Sequence, residues 1–227
     1  MKYLTMINAG AIKICKNLLL SAKQAGINIE KDFIIACLDK KSFSEFKNFK
    51  NTFLFINQKI SRYQTWNINR NSSFAKIVKY KWRIIKKIYK NHKQLCYIDS
   101  DIVFKKNPQK LIANKKKILF QMDYPLKRIC SGFMVFNNTI ECKKIINLCF
   151  NGSHFILHDQ ILINTVIKNK NLKCIRLLNP QFFPNGLIYN LLRNKTESYI
   201  VHANHYPLKN IKKKIKYFKD HKLWFLN

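Results

Sequence analysis

Acidic side chains are scarce in this chain: 11 Asp and Glu stand against 43 Lys and Arg in 227 residues, a formal charge of +32. Any close pair of carboxylates therefore stands out from its background. Glycine and proline number only 5 each, which argues against long flexible linkers and low-complexity disorder. The seven cysteines contain no C-x-x-C pair, so metal spacing is absent and reduced, mostly buried thiols are expected. No apolar run approaches the ~20 residues needed to span a bilayer, and Lys13 and Lys16 interrupt the nearest one. No signal peptide is evident. A cytoplasmic protein is expected, in the host cytoplasm if the source is a virus. There is no G-x-x-x-x-G-K phosphate loop, and no RNP-like, zinc-finger or helix-turn-helix signature.

What the chain does have is a sizeable apolar fraction, 47%, with 17 Phe and 10 Tyr. That supports a full core in one domain of this length. The positive charge alone invites a nucleic-acid or anionic-membrane partner. Lys, Asn and Ile are, however, spread along the whole chain, as a compositional bias would spread them. A positive field also helps to capture any anionic ligand.

The most informative segment is Leu95-Cys-Tyr-Ile-Asp-Ser-Asp-Ile-Val-Phe104. Apolar residues lead into and out of Asp99 and Asp101. On extended backbone, residues two apart point to the same side. Two carboxylates at the mouth of a buried strand are costly unless a cation or hydrogen-bond donors answer them. Hard cations such as Mg²⁺ and Mn²⁺ take such oxygens and bring phosphates with them. An Asp-x-Asp triplet alone often lies in a solvated turn. Here a strand-like run precedes it, an apolar triplet follows, and Asn107-Pro108 closes the segment with a turn signal.

Along the chain, strand-like runs at 3–7, 32–38, 52–56 and 95–98 alternate with helical patterns at 11–25, 42–49 and 74–90. That alternation predicts an α/β fold built from βαβ units. Gly26 is a stop signal for the first helix. Further strands are expected at 118–122, 130–137, 172–178 and 199–203, and helices at 139–150, 158–168 and 210–221. Trp224-Phe225 is expected to dock the tail. Residues 57–73 carry no readable motif and are expected to form a mobile loop. Ligands in open α/β sheets bind beyond the carboxyl ends of the strands, and Asn8, Asp39 and Asp99 each follow a strand-like run. One cleft would then collect all three.

Later segments add candidates. Cys130-Ser-Gly-Phe-Met-Val-Phe-Asn137 sets Gly132 among larger residues, where backbone can approach a ligand closely or a strand can bend. His158-Asp-Gln-Ile-Leu-Ile-Asn164 opens a helix, and Asp159 alone reads first as a helix cap. Val201-His-Ala-Asn-His205 ends a strand with His202, a common transition-metal ligand as well as a common structural residue.

The ordered set resembles the nucleotide-diphospho-sugar transferases, GT-A type glycosyltransferases with an Asp-x-Asp motif. It is most similar to the retaining branch that includes plant cell-wall arabinosyl- and xylosyltransferases. The resemblance runs through almost the whole chain: the opening strand and helix, the strand ending at Asp39, Lys81, the Asp99–Asp101 segment, Ser131-Gly-Phe133, Asp159-Gln160, His202-Ala-Asn204 and the closing Leu223-Trp224. It implies a Rossmann-like α/β domain over 1–227, with a mixed, mainly parallel sheet flanked by helices. Residues 1–105 would form a nucleotide-binding half and 106–227 an acceptor and catalytic half.

The resemblance also implies roles. Asn8, Ala9 and Asp39 would line the base and ribose pocket. Asp99 and Ser100 would lie at the ribose, with Asp99 at the metal directly or through water. Asp101 and His202 would bind Mn²⁺ or Mg²⁺. Ser131 and Gly132 would pass close to the donor sugar. Lys81 would face the diphosphate or sugar, and Asp159 and Gln160 the reacting carbon and the acceptor. Asn204 and Lys209 would complete the donor site, with Lys212 and Lys213 as alternatives to Lys209. The implied reaction moves a sugar from a nucleoside diphosphate sugar, UDP being the favoured carrier, to a hydroxyl of a glycan, protein or small molecule. The chain departs from the family at His205, where an aromatic residue is usual, and in lacking the glycine that often follows His-Ala-Asn.

Two other readings differ in class. A basic nucleic-acid-binding protein would need aromatics interleaved with a basic groove, and no such module is readable. An inactive transferase-fold scaffold would have no use for an intact Asp pair, Asp159 and His202. A polymerase-like nucleotidyltransferase would carry a Gly-Ser element shortly before the Asp pair, and none is present.

Overall fold

In the computed structural model, the described residues are 1–55, 73–113, 117–124, 126–153, 158–170, 174–204 and 210–227, the side chains of 73–76, 78 and 170 excepted. Most of the 57–73 stretch expected to be a loop lies outside them, as does Lys209. The strands are β1 (Lys2–Ile7), β2 (Phe33–Cys37), β3 (Thr52–Leu54), β4 (Gln94–Ile98), β5 (Ile102–Phe104), β6 (Ile118–Asp123), β7 (Arg128–Asn137), β8 (Ile175–Leu177) and β9 (Ile200–His202). The helices are α1 (Ile12–Gln24), α2 (Ile29–Asp32), α3 (Lys40–Phe46), α4 (Ser73–Tyr89), α5 (Gln109–Ile112), α6 (Ile140–Gly152), α7 (Asp159–Lys170), α8 (Gly186–Leu191) and α9 (Ile211–Asp220). Among the described residues no helix is long and apolar enough to cross a membrane.

Seven strands form one sheet in the order β3-β2-β1-β4-β7-β6-β8. Every pairing is parallel except the two made by β7. This is the mixed, mainly parallel sheet that the sequence predicts. Burial on both faces explains why β1, β2 and β4 read as continuous apolar runs. Their alternate residues go to opposite cores. Tyr3, Ile7, Phe33, Ile35, Cys96 and Ile98 meet α1 on one face, while Leu4, Ile34, Ala36, Leu95 and Tyr97 meet α4, α6 and α7 on the other.

Local chemistry sets the element ends. Gly26 takes a positive φ of 79°, where a side chain would be strained, and the Ile27 N–H returns to Ala22 O at 3.0 Å, closing α1. Asp39 caps α3 through Ser42 N–H at 2.7 Å, so α3 starts two residues before the expected 42. Buried Asn17 on α1 pins the tail, donating to Leu223 O at 3.0 Å and accepting from Phe225 N–H at 2.7 Å.

The structure departs from the expectation at β5 and β9. They leave the main sheet and pair with each other, antiparallel, with Ile102 opposite His202 and Phe104 opposite Ile200. Three residues are too few to show a period in sequence, which is why β5 reads only as an apolar triplet. The pair has its own core of Val103, Val201, Ala203, Tyr217 and Phe218 under α9.

Phe136 is the aromatic hub of the α4 side, edge-on to Trp82 at 6.4 Å, Tyr89 at 6.4 Å and Phe120 at 6.1 Å. Phe136→Ala should cost about 3–5 kcal/mol through lost burial and the cavity left behind. Urea unfolding is expected to show a lower midpoint at an unchanged slope.

Candidate active site

The site is built where β4 ends. The backbone N–H of Asp99 still pairs with Gly132 O at 2.8 Å, and residues 100 and 101 then turn the chain into β5. The two aspartates are thus not side by side on one strand, as the sequence argument has it. They flank a turn, and the β5·β9 pairing aims them at a common point. Ala203 N–H reaches Asp101 O at 3.0 Å, which brings His202 beside Asp101 across a hundred residues of chain.

One ligand atom each from Asp99, Asp101 and His202 lies within 4.8 Å of the others. His202 Nε2 stands 3.3 Å from Asp101 Oδ1 and 4.0 Å from Asp99 Oδ2. It is buried and makes no hydrogen bond. The other ring nitrogen, Nδ1, faces Gln121 Oε1 at 2.7 Å. Gln121 donates its amide to the carbonyls of Phe183 and Pro184, both at 3.1 Å, so its oxygen must accept from Nδ1–H. The imidazole is held with Nε2 turned toward the carboxylates, as metal-ligating histidines are oriented by their outer partners. Burial works against a charged imidazole, but the Asp101 carboxylate outweighs it and lifts His202 to about 10. The proton held there is what a cation would replace.

Gly132 completes the pocket. β7 bulges opposite the Phe120/Gln121 junction of β6, where the register jumps from Met134 to Cys130. Bulges commonly re-aim backbone beside active sites. A Cβ on Gly132 would overlap His202 Cε1 and lie 2.8 Å from His202 Nε2 and 2.9 Å from Asp99 Oδ2. Two carboxylates and an imidazole with an unpartnered nitrogen, which glycine lets approach closely, fit a divalent cation.

A buried charge cluster adjoins it. Lys81 of α4 forms an ion pair with Asp159, at the start of α7, and sits 3.1 Å from Asp99 Oδ1. Ser131 Oγ donates to Asp159 Oδ2 at 2.8 Å, and Tyr97 OH donates to Asp99 Oδ1 at 2.9 Å. Burial alone would discharge Lys81, but Asp159 and Asp99 hold it charged, well above the ordinary lysine range. Burial likewise opposes ionised Asp159, and Lys81 outweighs it to hold the carboxyl below the usual range. The same holds for Asp101: burial would raise it, and Lys214 with His202 holds it far below.

The remaining predicted residues distribute as follows. Asn8, Ala9 and Asp39 meet at the ends of β1 and β2, where Ala9 N–H donates to Asp39 Oδ2 at 2.7 Å and the buried Asn8 Oδ1 has no partner. Ser100 lies in the turn between the aspartates. Asn204 donates to Cys130 Sγ at 3.2 Å, leaving its own oxygen buried without a partner. Gln160 does not join the Lys81–Asp159 pair; it donates to Asp123 Oδ2 at 2.6 Å.

Two site residues escape the sequence reading. Gln121 left one signal, a lone amide inside the apolar run of β6. Lys214 left another. It occupies a place in the apolar stripe 211, 214, 215, 218 of α9, and the structure pairs its ammonium with Asp101, a role the sequence reading gave to no lysine.

The fold is of the GT-A type. Solved structures share the architecture. The chain superposes over its full length on the bifunctional glycosyltransferase WbbM, at a TM-score of 0.61 with 12% identity, and covers 52% of that chain, so it spans about half of WbbM. It superposes fully on galactosyltransferase LgtC in complex with donor and acceptor sugar analogues, at 0.59 with 10% identity, covering 97% of that chain. For mouse xyloside xylosyltransferase 1 the TM-score is 0.54 with 11% identity, covering 92% of this chain and 99% of that one. At such identities the likeness is one of fold. A search of curated protein sequences finds no significant match. The nucleotide-diphospho-sugar transferase profile matches residues 28–218. The chain belongs to that family and is a glycosyltransferase.

Two variants test the site's physics. Gly132→Ala should push His202 aside and weaken Mn²⁺ binding by about tenfold or more, read by calorimetry with nucleotide present. Lys81→Met should destabilise by about 3–5 kcal/mol at pH 7, because it leaves Asp159 buried and uncompensated. In the parent, Asp159 is depressed in the folded state. Its contribution is therefore full above the unfolded carboxylate pKa near ~3.9 and fades as pH falls through the folded value. In the variant burial raises Asp159 instead, so acid protonates it and relieves the penalty. The stability gap between the two proteins should narrow from pH 7 to pH 5 in urea titrations.

Proposed function

We propose that this enzyme transfers a sugar from a nucleoside diphosphate sugar, with UDP as carrier, to a hydroxyl of a glycan, protein or small molecule. The reaction depends on Mn²⁺ or Mg²⁺ and retains the anomeric configuration. The observation that carries this reading is the convergence of Asp99 Oδ2, Asp101 Oδ1 and His202 Nε2 beside the buried Lys81–Asp159 pair.

A divalent cation held by Asp99, Asp101 and His202 would offset the charge that develops on the departing diphosphate. The chain supplies the rest. Asn8, Ala9 and Asp39 line the nucleoside pocket, where the unpartnered Asn8 oxygen accepts from the base. Asp99 and Ser100 face the ribose. Ser131 and Gly132 present backbone to the donor sugar. Asn204 and Lys209 hold the diphosphate. Lys81 steadies Asp159 as an ionised carboxylate close to the sugar, where it stabilises an oxocarbenium-like transition state. Gln160, fixed by Asp123, lies on the acceptor side. Retention follows from the likeness to the retaining branch of the family. Residues 1–105 form a nucleotide-binding half and 106–227 an acceptor and catalytic half, within one domain. The seven free cysteines suit a reducing compartment such as the cytoplasm.

The test is nucleotide release from a panel of UDP- and GDP-sugars with Mn²⁺, Mg²⁺ or EDTA. Release of UDP from one donor is expected, abolished by EDTA and lowered about 100-fold or more in Asp101→Ala. Unchanged turnover in a folded Asp101→Ala protein, or no release from any donor, would sink the reading.

A further inference from the structure

The lysines at the metal ligands follow a pattern. Asp99 commits Oδ1 to Lys81 and Tyr97 OH and turns Oδ2 toward His202. Asp101 commits Oδ2 to Lys214 and turns Oδ1 toward His202. Each aspartate thus offers one oxygen to the ion site and one to an ammonium. Lys214 is itself buried, and its helix is fixed by an Asn210 cap at 2.9 Å and by Tyr217 OH on Gly186 O at 3.0 Å. It is a structural part of the site rather than a passing surface charge. Three carboxylates, Asp99, Asp101 and Asp159, meet two ammonium groups, Lys81 and Lys214, so with His202 neutral, as a ligand to a cation must be, one net negative charge remains. Dedicated divalent sites gain affinity from the number of charged ligands.

Resting on the reading above, we propose that Lys214 is a positioning residue that keeps the Asp99–Asp101–His202 site too poor in charge to hold a divalent ion alone. The ion is retained only with the nucleoside diphosphate, whose oxygens supply the missing negative charge. Lys214 restricts Asp101 to a single ligand oxygen and sets this order of binding. The cation therefore stays with the nucleotide and departs with it.

Free Mn²⁺, counted by electron paramagnetic resonance, tests the proposal without turnover. The parent protein should bind Mn²⁺ at least tenfold more tightly with UDP than without. Lys214→Met should raise the nucleotide-free affinity by about tenfold and shrink that ratio, through removal of a unit charge at close range. Lys214→Arg should keep the parent's ratio. Circular dichroism reports whether each variant folds, since Lys214→Met leaves Asp101 without its ammonium. Equal Mn²⁺ affinity with and without UDP in the parent overturns the proposal whatever the variants do. So does a folded Lys214→Met protein with unchanged or weaker nucleotide-free binding. Either result leaves the transferase reading standing, whereas no Mn²⁺ binding even with UDP would overturn both.

Discussion

Buried carboxylates persist only where cations or donors answer them, and the end of β4 gathers three carboxylates, of which Asp101 and Asp159 are buried and Asp99 is half-buried. Asp99, Asp101 and Asp159 come from two distant stretches of chain, and each meets a lysine side chain. Those lysines reach in from α4 and α9, on separate cores of the molecule. The charge cluster therefore ties the packing of both helices to the strand ends. If either helix shifted, an aspartate would lose its counter-charge in a place that water does not reach.

The small β5·β9 sheet converts this constraint into a site. A parallel sheet leaves its strand ends open at one edge, but openness alone does not make ligands converge. Pairing Ile102 with His202 brings the histidine to the aspartates, and the bulge in β7 clears the space between them. Gln121 then fixes the imidazole from behind. Backbone pairing thus does the coarse placement and side-chain hydrogen bonds the fine orientation, which is how a few short elements hold a demanding geometry.

The centre of the main sheet was legible because β1, β2 and β4 are buried on both faces and so read as unbroken apolar runs. Most of its helices were legible because their apolar faces repeat at helical spacing, as in α1 and α6. Asp99, Asp101 and His202 were readable as an ordered set, and so was Lys81. β5 and α8 were not, because three and six residues carry too little periodicity to separate from loop. Gln121 and Lys214 were visible only as polar residues in apolar places, a signal that also arises from ordinary snorkelling side chains. The geometry at Asp99 differed from an extended strand because the chain must turn there to enter a second sheet, and nothing in Asp-Ser-Asp specifies which sheet comes next.

Gly132 carries a wider consequence. The place of its missing side chain is taken by the His202 ring, so the site depends as much on an absent atom as on its polar groups. Motif searches read residues that are present, and they would score a chain with alanine at this position as intact. A relative that kept both aspartates and the histidine but filled this place would have its imidazole displaced while keeping every polar residue of the motif. At this strand end the smallest residue decides where the imidazole can stand.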